Sequence, residues 1–66
     1  MIVKFSKIIY YKKSIIEAIR KYRHLADFSL KTTPDYITVS IKNIDKDLND
    51  ILKDEFCNYV LYLMKK

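Results

Sequence analysis

The sequence predicts a small α+β fold with element order β-α-β-β-α. Its three-stranded antiparallel sheet has strand order 1-3-2 and carries both helices on one face, a truncated ferredoxin-like unit. Three observations lead there. The runs 2–6 and 36–42 alternate apolar and polar residues with the period of a strand. The stretches behind Ser14 and behind Leu48 repeat apolar residues at helical spacing. Thr33-Pro34-Asp35 is the one strong turn signal, with proline pre-set for the second turn position.

Ile2-Val3-Lys4-Phe5-Ser6 is rich in strand formers and reads as strand one. Ser14-Ile15-Ile16-Glu17 fits a capping box, in which Ser14 accepts from the backbone and Glu17 reaches back. Behind it, Ile15, Ile19, Tyr22 and Ala26 recur on one side, flanked by Ile16, Ala18 and Leu25. Glu17, Arg20, Lys21 and His24 take the wet side, giving an amphipathic helix of about three turns. Asp27 to Lys31 alternates again as strand two, with Phe28 and Leu30 on one face.

In strand three, Ile37, Val39 and Ile41 point one way, and Tyr36, Thr38, Ser40 and Lys42 the other. Asn43 to Asp47 leads into a final helix running from Leu48 to Lys66. Asp45, Asp47 and Asp50 lie near its positive end and Lys65 and Lys66 at its negative end. A helical crossover from strand one to strand two leaves room for strand three between them, antiparallel to both. The helices then cover Val3, Phe5, Phe28, Leu30, Ile37, Val39 and Ile41, and water meets Lys4, Ser6, Ser29, Lys31, Thr38 and Ser40.

With 66 residues, the chain makes a single domain, residues 1–66, with a marginal core. Cys57 is the only cysteine, so no intramolecular disulfide forms. One Cys and one His are too few for a structural zinc site. The chain has no glycine, and phosphate-cradling loops need backbone that approaches phosphate closely. Nucleotide-dependent catalysis is therefore not expected, and neither is any cofactor. No apolar run reaches the ~20 residues that span a bilayer, and the N-terminal stretch lacks a signal-peptide core. The expected location is the cytoplasm, with no membrane partner.

Of the net charge of +5, the first 23 residues hold seven basic groups against Glu17 alone, a net of +6. Lys4, Lys12, Lys13, Arg20 and Arg23 are the candidate charge patch for an acidic peptide, a nucleic acid or an acidic protein. Solubility alone is the plain alternative.

The last helix is greasier than one core requires. From Phe56 to Met64 only Asn58 interrupts apolar or aromatic residues, which span ~200° around the axis where ~100° suffices. A helix from Leu48 to Lys66 runs ~28 Å. It is expected to overhang strands of ~20 Å. Cys57, Leu61 and Met64 are spaced like a second seam, with Tyr62 and Asn58 at its rim. The first helix covering part of the arc, or a bend in the last helix, would also account for it; otherwise Cys57, Leu61, Tyr62 and Met64 are the candidate contacts for a protein partner or for a second copy in a homodimer.

These pieces resemble the HxsD-like family, the small D proteins of the His-Xaa-Ser peptide-maturation system. Tyr10-Tyr11 before a helix, Ala18 with Tyr22-Arg23 within it, and the alternating hairpin resemble the front of the family. Asp54-Glu55-Phe56-Cys57-Asn58 is similar to its acidic-aromatic-x-Asn segment, followed by an apolar helix with a basic ending. Tyr59 stands where the family tends to carry an acid, and Lys65-Lys66 replace its usual arginine. The resemblance implies a non-enzymatic accessory or binding subunit working beside radical-SAM maturases and precursor peptides, with no catalytic residue to transfer. A peptide or maturation enzyme is expected at two places, the last helix and an edge of the short sheet, where strand addition uses main-chain hydrogen bonds and the basic N-terminal third draws in an acidic segment.

Single candidates for chemistry have ordinary explanations. His24 near a helix C-terminus caps carbonyls or is solvated. Cys57 has no base at an obvious spacing. The acids at 45, 47 and 50 lack the glycine and terminal glutamate of a calcium loop. The rival to a protein-binding role is nucleic-acid binding, because Lys12, Lys13, Arg20, Lys21 and Arg23 lie close to Tyr10, Tyr11 and Tyr22. The apolar stripe claims Tyr22, however, and the open sheet face lacks the aromatics of an RNA-binding sheet.

Overall fold

The computed structural model describes residues 1–65. Its elements are β1 (Ile2–Ser6), α1 (Lys12–Tyr22), β2 (Asp27–Thr32), β3 (Tyr36–Lys42) and α2 (Leu52–Met64), with a short 3-10 turn over Lys46–Leu48. The sheet order is β1-β3-β2, and β3 is antiparallel to both neighbours. This is the expected α+β arrangement. β1 and β3 have the expected bounds, because strict alternation leaves only one register that buries Val3 and Phe5 against Val39 and Ile37. The hairpin closes through Thr33: its N–H donates to the Tyr36 carbonyl at 2.8 Å, and its Oγ1 accepts from the Tyr36 N–H at 3.0 Å.

α1 starts three residues earlier than the capping box predicts. Tyr11 is its extended N-cap residue and offers no side-chain bond, while Ser14 lies inside the first turn with its N–H on the Tyr11 carbonyl at 3.1 Å. A tertiary contact overrides the local cap. The chain turns at Ser6, whose carbonyl accepts from Tyr10 N–H at 2.9 Å, and the Tyr10 ring then meets Phe5 edge-on at 4.9 Å. The helix consequently ends at Tyr22, leaving His24 exposed in the following turn and Ala26 buried beyond the helix.

The expected helix from Leu48 is also corrected. Asp45 accepts the Asp47 N–H at 3.2 Å and caps the 3-10 turn, and α2 begins only at Leu52. Aspartate and asparagine bond locally to backbone in competition with a helix. Asp45, Asp47, Asn49 and Asp50 therefore interrupt what periodicity alone would join. The acids in the first turn of α2 are instead Asp54 and Glu55. Lys65 is its C-cap, and Lys66 lies outside the described residues. With 13 residues α2 is ~20 Å long, against ~23 Å for the seven of β3, so length alone gives no overhang.

The core comprises Val3, Phe5, Ile15, Ala18, Ala26, Ile37, Val39, Ile41, Leu52, Phe56 and Val60. Phe56 is its hub, with ring centroids of Phe28, Phe5 and Tyr22 at 5.3, 6.1 and 6.3 Å. In a chain without glycine the one left-handed position among the described residues falls on Asn43, φ 54°, one of the few residue types that tolerate it. Its Nδ2 donates to Asp27 Oδ2 at 2.6 Å and ties the exit of β3 to the entry of β2.

Candidate interaction surfaces

The apolar arc of α2 is mostly used inside the molecule. Cys57 and Met64 are half-buried and pack on the core, whereas Leu61 (41% exposed) and Tyr62 (53%) reach the surface. Tyr62 turns away from the seam to stack on Tyr59, ring centroids 5.8 Å apart. Tyr59 in turn meets Tyr22 edge-on at 5.7 Å and carries Lys21 Nζ 5.5 Å from its ring centroid. Burial raises the Tyr22 hydroxyl above its ordinary pKa, with Glu55 and then Tyr59 adding to the effect. Burial also raises the Cys57 thiol, Lys53 opposing and Asp54 reinforcing. A thiol held neutral is a poor nucleophile.

The candidate cations fall into separate groups. Lys12, Lys13 and Arg20 share the outer surface of α1, where with Ile16 and Glu17 they line a shallow depression. Arg23 caps the helix end. Lys4 lies on β1, pointing to the open sheet face, with its Nζ 5.9 Å from the Tyr36 ring centroid. Among the described residues no group of three or more His, Cys, Asp or Glu could hold a metal ion. No helix among them is long and apolar enough to cross a membrane.

Sequence reasoning left two features unspecified. The first is which edge of the sheet could take an added strand, and with which amides: the outer edge of β1 is open. Met1 and Ile41 exchange both backbone bonds, at 3.1 and 2.8 Å, and Lys7 N–H donates to the Asp35 carbonyl at 3.1 Å. Antiparallel ladders alternate, so odd residues of β1 spend their amides on β3. The amides of Ile2, Lys4 and Ser6 therefore face outward, and among the described residues no strand pairs with that side.

The second is the loop that follows. Ile8 is 94% exposed, Ile9 62% and Tyr11 66%, between Lys7 and Lys12-Lys13. The signal was there in the sequence: four large apolar residues in a row where strand has ended and helix has not begun. No family model matches the chain, no curated protein matches it in sequence, and no solved structure matches it.

Proposed function

We propose that this chain is a non-enzymatic binding module that takes up an extended, acidic segment of a protein partner as a fourth strand beside β1. The observation that carries the reading is the row of outward amides at Ile2 and Lys4 on an edge strand. Strand addition draws affinity from such main-chain groups, and nearby charge selects the sequence. From Ile2 to Lys7 the edge carries Lys4 and Lys7 and no acid. The other edge strand, β2, carries the acid Asp27 beside Lys31 and turns Phe28 and Leu30 to the helix side.

A second copy is the weaker occupant. Self-pairing of β1 about its centre sets Lys4 near Lys4 of its mate, and like charges across a strand pair repel. In the setting that the HxsD-like resemblance implies, the segment belongs to a precursor peptide or a radical-SAM maturase in the cytoplasm.

The test is a titration with a synthetic ten-residue peptide alternating glutamate and valine, followed through backbone amide signals. Binding is expected to move Ile2, Lys4 and Ser6 and to be lost in Lys4→Pro, which removes an outward N–H together with the Lys4 charge, while Lys4→Gln, which removes the charge alone, should still bind. Absence of shifts at millimolar peptide, or undiminished binding by Lys4→Pro, overturns the reading. Nucleic-acid binding has one observation in its favour, the Tyr59–Tyr62 stack with Lys21 over it. Oligonucleotide binding that falls steeply with salt and is lost in Tyr59→Ala would transfer the function there.

A further inference from the structure

We propose that the loop Lys7–Tyr11, together with the first turn of α1, docks on an anionic lipid surface. The inference does not rest on strand addition at β1. Three observations carry it. First, the tip projects and is apolar: Ile8 is 94% exposed, with Ile9 and Tyr11 well exposed beside it. A projecting tip of this kind fits a deformable interface better than a rigid flat partner. Second, Lys7, Lys12 and Lys13 flank it within the chain, and the only acid on the adjoining hairpin turn is Asp35. Cations around an apolar tip match a negatively charged headgroup layer.

Third, the loop spends its backbone donors internally. Lys7 N–H donates to Asp35 O at 3.1 Å, Ile8 N–H to Ser6 Oγ at 3.3 Å, and Ile9 and Tyr10 N–H to Ser6 O at 3.2 and 2.9 Å. A loop that leaves water must satisfy its own amides, and four consecutive ones here are satisfied. The Tyr10 ring on Phe5 fixes the loop to the core, so the tip is presented rather than folded away. Such binding is peripheral: it adds no membrane-spanning segment, but it departs from the expectation of no membrane partner, which rested on the lack of a spanning run.

The full chain would be sedimented with vesicles of phosphatidylcholine alone and of phosphatidylcholine with about a third phosphatidylserine. Binding is expected on the anionic vesicles and not on the neutral ones. The Ile8→Asp/Ile9→Asp variant is expected to lose at least about tenfold in partitioning, and Lys12→Gln/Lys13→Gln about fivefold for each lysine removed. Both pairs are exposed, so circular dichroism should match the parent. In the parent, nitroxide-labelled lipid should broaden the methyl signals of Ile8 and Ile9 ahead of those of Leu61. The proposal fails if the parent ignores anionic vesicles, if the isoleucine variant binds like the parent, or if Leu61 broadens first.

Discussion

The second half of α2 and the loop Lys7–Tyr11 are both runs of large apolar residues, and they have opposite fates. Phe56, Val60, Leu63 and Met64 are drawn onto the core by a sheet below and α1 alongside, which leaves Leu61 and Tyr62 at the surface. Ile8, Ile9 and Tyr11 lie where a strand has ended and a helix has not begun, and no element among the described residues passes over them. Where an element ends decides exposure more than how greasy the element is. The apolar arc around α2 is wide because that helix packs on two neighbours. The loop is bare although it is short.

Substitutions can break this comparison, beginning with the most damaging. Phe56→Ala should cost about 3–5 kcal/mol in urea unfolding, enough to leave a 66-residue domain largely unfolded, while Ile8→Ala should stay within about 0.5 kcal/mol. Equal losses would mean the loop is packed after all. Proline at neighbouring positions of β1 sharpens the point. Val3→Pro removes an N–H bonded to β3 and should cost about 3 kcal/mol, whereas Lys4→Pro removes an outward one and should cost about 1 kcal/mol or less.

Asn43→Ala should lose about 1–2 kcal/mol, since alanine resists the left-handed conformation and the bond to Asp27 goes with it. Asn43→Gly should lose less. Leu61→Asp should leave the light-scattering mass unchanged, since of the four seam candidates Cys57 and Met64 pack on the core and only Leu61 and Tyr62 are exposed. The smallest effect concerns alkaline pH. Burial raises both Cys57 and Tyr22, so their neutral forms favour the fold. That contribution is complete below the ordinary thiol and tyrosine ranges and fades as pH climbs through the folded values. A denaturation series above neutral pH should decline there, and Cys57 should alkylate more slowly than a free thiol.

Strands were readable because period two admits a single buried face, as Ile37, Val39 and Ile41 demonstrate. Helix ends were not. Ser14 carries the chemistry of a cap, yet the turn that seats Tyr10 on Phe5 starts α1 earlier. Leu48 keeps helical spacing with Leu52, yet the intervening Asn49 and Asp50 and the capping Asp45 break the run. Of the surfaces, the charge bias toward the first 23 residues was visible, but its division among β1, the loop and α1 was not. The direction of each β1 amide depends on which residues of β3 lie opposite, and no local pattern encodes that.

The most direct measurement is amide hydrogen exchange on the chain alone and with the alternating glutamate–valine peptide bound. Val3 and Phe5 should be protected in both states, while Ile2 and Lys4 should exchange rapidly alone and slow markedly on binding. Protection that appears on α1 or α2 while Ile2 and Lys4 stay fast would contradict an added strand at this edge.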